Sequence, residues 1–305
     1  MHIRLRHTST GHRAAIYALA PSPTERRILS AGGDGWIVEW DADNPDIGQV
    51  MATVPERIFS LHCPPVPGRA LAGNMNGGLH WIDWGDPARS RDVQHHRKGI
   101  FDIAQRGAQV LTAGGDGLLT RWDAQQARSL ESVQLSAQPL RCIAPSPDGS
   151  RWAVGSSDGS ISLIDAETLA MLGQKEKAHQ SSVFCALWVG HRLLTGGRDA
   201  MLRSWHLSPG TADAPPTWQM QAELPAHWFT INHLALSPGG KWLASASRDK
   251  TIKIWHPDSL ELLRVVDVQR HGGHINSVNR LLWLSDHEWV SCSDDRTLKW
   301  WEIRE

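Results

Sequence analysis

Cysteine, phenylalanine and tyrosine are scarce in this chain, which has four, four and one of them among 305 residues. Cys63, Cys142, Cys185 and Cys292 lie far apart with no C-x-x-C spacing, a pattern that favours reduced, buried thiols over a zinc or dithiol motif. Surplus charge is missing too. Lys and Arg number 31 against 32 Asp and Glu, so the net charge of −1 offers no electrostatic footprint for nucleic acid or an anionic membrane. No apolar run approaches the roughly 18 residues of a membrane helix. The opening MHIRLRHTSTGH lacks the apolar stretch of a signal peptide. A cytoplasmic protein with neither a nucleic-acid nor a membrane partner is expected. The Gly-rich piece Ala113-Gly114-Gly115-Asp116-Gly117 is followed by no Lys-Ser/Thr pair and opens no helix, so it reads as a turn and not as a phosphate loop. His271-Gly272-Gly273-His274 and His95-His96 suggest a metal, yet His96 and His274 belong to a repeated pattern. Neither a cofactor nor a metal is expected.

What the chain does have is a period. Asp34, Asn76, Asp116, Asp158, Asp199, Asp249 and Asp295 sit in Gly- or Arg-flanked turns. Six residues after them come Trp40, Ile82, Trp122, Ile164, Trp205, Trp255 and Trp301, usually followed by an acid. A unit of roughly 40 to 45 residues that cannot bury its own faces must stack on its neighbours. Within the first unit, four short β-type runs begin at Ile16, Arg27, Trp36 and Gln49, separated by turn chemistry such as Pro21-Ser22-Pro23 and Gly32-Gly33-Asp34-Gly35.

A Gly-His pair precedes the first and last units as Gly11-His12 and Gly273-His274, and His96, His179 and His227 hold the same place without the Gly. With these residues and the recurring Trp-Asp ending, the chain resembles the WD-repeat β-propeller family over nearly all of its length. The resemblance implies an all-β fold: one domain spanning residues 1–305, built as a seven-bladed propeller of four-stranded antiparallel blades. The seventh unit stops after its third strand at Trp301-Glu302, whereas His2-Ile3-Arg4-Leu5-Arg6 precedes the first unit with no unit of its own. That segment is expected to pair with the last blade and close the ring, leaving no open sheet edge.

Five units also carry a hydroxyl four residues before the turn Asp: Ser30, Thr112, Thr195, Ser245 and Ser291. Serine, histidine and aspartate together bring a catalytic triad to mind. Five equivalent copies around a ring argue instead for a building element. In the family that this chain resembles, His, Ser or Thr, Asp and Trp form a hydrogen-bonded chain. Each of these buried polar groups is costly alone, and linking them satisfies all four. The second and fourth units carry Val54 and Ser136 at the His place and Ile at the Trp place, and are expected to be the softer blades.

Three departures from the repeat point to function. A Pro-rich insertion at Ser208–Pro216 is expected on the face away from the turn aspartates, and extra residues around Gln269–Gly272 on the turn face. The third is Trp228-Phe229, where other units place mostly small or polar residues after the His, Ile275-Asn276 being the nearest exception. With Arg198 and Arg248 beside turn aspartates, and Arg13, Arg57, Arg97 and Lys98 around the rim, this face is expected to bind a protein or peptide through aromatic anchors and arginines. The expectation is thus a non-enzymatic scaffold with an acidic or aromatic-bearing partner. The alternatives are an enzyme or small-ligand binder using the central channel, near Asp102, Arg141 and Arg280, and a structural subunit of a larger complex.

Overall fold

The computed structural model describes every residue except 209, 211–215 and 305. The expected Pro-rich insertion falls largely outside the described residues. Seven four-stranded antiparallel sheets form a ring, six running in chain order from an inner to an outer strand and the seventh taking the N-terminal His2–Ser9 as its outer strand. Inner strands begin at Ile16, Ile58, Ile100, Leu140, Val183, Ile231 and Val278. Outer strands such as Gln49–Thr53 are mostly exposed, whereas second strands such as Arg27–Gly32 are almost wholly buried.

Each sheet is apolar on both faces because each is sandwiched by two others. The core consequently divides into seven clusters, one per junction. Leu71, Leu79 and Trp81 of blade 2 meet Ile100, Val110 and Trp122 of blade 3, and Ile3, Trp289, Trp301 and Ile303 of blade 7 meet Ala244 and Ile254 of blade 6.

The ring closes as expected. His2–Ser9 pairs antiparallel with Leu298–Arg304, placing Ile3 opposite Ile303, both buried. Trp300 Nε1 donates to Ser9 Oγ at 2.7 Å, and Arg6 and Arg26 both bind Glu288, so a residue of blade 1 also spans the seam.

Every inner strand carries the same irregularity. After its first residue the register slips by one, leaving Tyr17, Phe59, Phe101, Arg141, Phe184, Asn232 and Asn279 outside the ladder. A bulge of this kind re-aims a side chain and frees a carbonyl. Neighbouring blades cap several of those carbonyls: Ser60 Oγ donates to Ile100 O, Asn232 Nδ2 to Val278 O and Asn279 Nδ2 to Ile16 O, at 2.8–2.9 Å.

Candidate partner-binding face

Five blades contain a continuous chain of hydrogen bonds whose direction follows from chemistry. An indole N–H can only donate and an ionised carboxylate can only accept. In blade 1, Trp40 Nε1 donates to Ser30 Oγ at 2.8 Å, and the hydroxyl donates to His12 Nε2 at 2.8 Å. His12 Nδ1–H then donates to Asp34 at 2.9 Å. The same sequence links Trp122, Thr112, His96 and Asp116, then Trp205, Thr195, His179 and Asp199. It recurs through Trp255, Ser245, His227 and Asp249, and through Trp301, Ser291, His274 and Asp295. This order requires a neutral imidazole with its proton on Nδ1. Burial pushes His96, His179, His227 and His274 below the ordinary value, with their aspartates only partly opposing it. Burial alone would raise the five carboxylates, but hydrogen bonds from the imidazole and from backbone amides overcome it and hold all five low.

The turn carboxylate also grips the amide of the residue after each His. Arg13, Arg97, Gln180, Trp228 and Ile275 donate to Asp34, Asp116, Asp199, Asp249 and Asp295 at 2.8–3.2 Å, and all five side chains are exposed. The buried chain therefore ends by fixing the residue that each blade presents to solvent. Because strands alternate in direction, the loops entering inner strands and the turns between second and third strands share one face. That face carries Arg198, Arg248, Arg13, Arg57, Arg97 and Lys98, all exposed. It also carries the short helical turn Val268–His271, the sequence extension around Gln269–Gly272. Trp228 is 87% exposed and Phe229 59%, and Ile275 on the next blade's loop is 61% exposed. Arg13 is not free in the same sense, since its guanidinium stacks 4.7 Å above the Trp36 ring.

The inner bulges supply a feature that the sequence reading missed. Tyr17 meets Phe59 edge-on and Phe59 stacks on Phe101, each pair with centroids 5.5 Å apart. Arg141 then lies 4.1 Å over Phe101 and 5.2 Å over Phe184. Four of the five Phe and Tyr residues in the chain thus join one arginine in an arc around the turn-face end of the channel. The fifth, Phe229, stands on a loop of that face. Close approach of backbone makes room for the rings: a Cβ on Gly115 would lie 3.0 Å from Phe101, and one on Gly99 3.1 Å from Phe59. Burial, then the like charge of Arg198, shift the Arg141 guanidinium downward, so the mouth concentrates positive charge. The signal was present in the sequence, because four of the five rare aromatics, Tyr17, Phe59, Phe101 and Phe184, follow the first apolar residue of an inner strand.

Below the arc, Arg280 and Asp102 come from blades on opposite sides of the ring and pair at 3.1 Å across the channel. Asp102 also accepts from Ile143 N at 2.8 Å. His233 beside them accepts from Leu281 N and is driven well below its ordinary value by burial and by Arg280. Burial raises the Cys142 thiol to about 12. Among the described residues no three His, Cys, Asp or Glu gather as metal ligands.

The second and fourth units diverge at the network. In blade 4, Ser136 Oγ takes the histidine's place and donates to Asp158 at 2.5 Å. In blade 2 the turn is organised from Asn74 and not from the side chain of Asn76, a correction to the repeat alignment. Asn74 Oδ1 accepts from Asn76 N and Gly78 N, and its Nδ2 donates to His80 Nε2 at 3.0 Å.

A family model described as "WD domain, G-beta repeat" matches residues 3–41, 130–165, 218–256 and 265–302. The chain belongs to the WD-repeat family. The rat WD repeat-containing protein 55 is 26% identical over 301 residues, covering 94% of this chain and 75% of its own. The Arabidopsis thaliana WD repeat-containing protein 26 homolog is 24% identical, covering 85% of this chain and 44% of its own. A crystal structure of the WD40 β-propeller domain of Doa1 superposes with a TM-score of 0.83 at 14% identity, covering 100% of this chain and 98% of that one. It supports the fold alone.

Proposed function

We propose that this propeller is a non-enzymatic interaction scaffold, working in the cytoplasm, whose turn face binds an acidic or aromatic-bearing segment of a partner protein. WD-repeat relationship and propeller fold support a scaffold in general. The observation that carries the choice of face is the exposure of Trp228, held by Asp249 so that its indole has no protein surface to cover it. An exposed indole beside an exposed phenyl ring is an anchor of the kind that dominates interface energetics. Arg198 and Arg248 would take carboxylates at the rim, with the Arg141 arc adding charge at the centre.

The test is affinity capture with tagged wild type, Trp228→Ala/Phe229→Ala and Arg198→Glu/Arg248→Glu, followed by binding of each purified partner. The expected outcome is a partner retained by wild type and lost by both variants at unchanged melting temperature. Equal retention by both variants removes this face as the site.

A further inference from the structure

Arg141 is the one cation among the seven residues that the inner-strand bulges set outside the ladder. Its neighbours around the ring are Phe101 of blade 3 and Phe184 of blade 5, and its guanidinium lies 4.1 Å and 5.2 Å from their ring centres. Nε donates to Ser157 Oγ at 2.8 Å. Ser157 is itself fixed, because its N–H donates to Pro139 O at 2.8 Å and its carbonyl accepts from Ser182 Oγ at 3.3 Å. A guanidinium flanked by two rings and tied at Nε has given up most of its rotamer freedom before any ligand arrives.

The same arrangement leaves the two Nη groups idle. Neither has an acceptor among the described residues, and neither is sealed from solvent. Arg203 and Arg280, also drawn away from solvent, are matched by carboxylates, the first by Asp199 and Glu223 and the second by Asp102. The charge that acts on Arg141 is instead another cation, Arg198. Arg198 N donates to Ser182 O at 2.9 Å, which ties it to the loop that also holds Ser157. Its side chain is exposed and has no carboxylate partner among the described residues. Two like charges held this close repel unless an anion joins them.

We propose that Arg141 is the seat at the channel mouth for a single oxyanion, a carboxylate or a phosphate carried by the partner segment. This rests on the turn-face reading above and adds to it the group recognised and the atoms that recognise it. The two Nη groups donate in parallel to two oxygens of the anion, and Arg198 adds a second positive charge from the adjoining loop. The flanking rings displace part of the water that would screen the pair. Guanidinium groups donate and cannot accept, so an amide or hydroxyl at the seat would leave both cations unneutralised.

A titration of the full chain, followed through the Arg141 Nε–H signal in two-dimensional nitrogen–proton NMR, tests this; the signal is identified by its absence in Arg141→Lys. The probes are a capped glycine-rich peptide with one glutamate, the same peptide with phosphoserine, and the same with glutamine, all at one ionic strength. The signal is expected to move saturably with an anionic peptide and not with the glutamine peptide, and the anion that binds more tightly identifies the source. By calorimetry, Arg141→Lys keeps the charge but loses the fork, and should weaken that peptide about fivefold or more at unchanged melting temperature. Arg198→Glu should weaken it as well. Trp228→Ala/Phe229→Ala should leave this short probe unaffected, which separates the two readings: binding through Arg141 with undiminished partner capture by that variant keeps the seat and removes the aromatic anchor. Partner capture lost in that variant, with no peptide moving the Arg141 signal, keeps the face and removes the seat. No movement at millimolar peptide, an equal response to the glutamine peptide, or unaltered affinity in folded Arg141→Lys overturns the proposal. If Arg141→Lys fails to fold, Ser157→Ala releases Nε without changing charge and decides by the same readout, unaltered affinity again counting against the seat.

Discussion

Blades 2 and 4 both lack the histidine and the tryptophan that the other five share, and they meet the loss in different ways. In blade 4 the missing indole is supplied from across the ladder, since Trp152 packs opposite Ile164 and both are fully buried. Ser136 retains the link to the turn carboxylate there. In blade 2 the residue opposite Ile82 is Ala70, and the polar substitute is a separate set built on Asn74 and His80. A cross-strand pair shares one volume, so either member can fill it. Where neither does, as in blade 2, the partly buried Cys63 and Trp84 pack into the same cluster against blade 1.

Several measurements can break or sharpen this contrast. The largest effect is expected from Trp152→Ala, which would empty the volume that Trp152 and Ile164 share in blade 4 and cost about 3–5 kcal/mol in urea unfolding; a loss below about 1 kcal/mol would mean that blade 4 does not depend on its compensating indole. Next comes a difference in size. Ile164→Trp forces a second large ring into filled space and should destabilise by about 1–3 kcal/mol, whereas Ile82→Trp, at a half-buried position, should cost less. Equal effects would dissolve the distinction between the two blades.

The hydrogen-bonded chains give a similar pair. Asp116→Ala strands His96 and the Arg97 amide and should cost about 1–3 kcal/mol, while Asn76→Ala, at an exposed turn residue whose side chain takes no part in the Asn74 set, should stay within about 0.5 kcal/mol. Unchanged melting of Asp116→Ala would refute the network as a stabilising element. A smaller effect should come from acidity. His96, His179, His227 and His274 have folded pKa values depressed below the ordinary 6.5. The unfolded chain therefore binds more protons than the folded one once pH drops below about 6.5, and stability falls with pH in that window. The turn carboxylates, also depressed, keep their contribution until pH falls below their ordinary 3.8. Between pH 7 and 5 the melting temperature should decline, with amide exchange rising in blades 3, 5, 6 and 7 before blade 4, whose chain has no imidazole. A flat profile over that range would contradict neutral buried histidines.

Much of this architecture was legible in residue spacing. The turn aspartates, the strand-ending Trp or Ile and the unpaired segment at His2–Arg6 specify seven blades and their closure, because each reports a local requirement: a tight turn, a buried ring, a strand without a sheet. The residues of the candidate face were legible only as departures from the pattern. Trp228 and Phe229 stood out because other blades place mostly small or polar residues there. The arc of Tyr17, Phe59, Phe101, Arg141 and Phe184 did not stand out, since each looks like one more strand residue until the seven bulges are known to bring them side by side. Asn74 was missed in the same way, by aligning the turn on Asn76.

Taken alone, the order of residues determined the repeat, the strand menu of each blade and which polar groups must find one another, all of which depend on neighbours within about one unit. Only the closed ring decided what meets across blades: the aromatic arc and the Asp102–Arg280 pair spanning the channel. Those contacts join residues from different units, and their distances are set by how seven wedges share a single axis. No spacing along the chain encodes that.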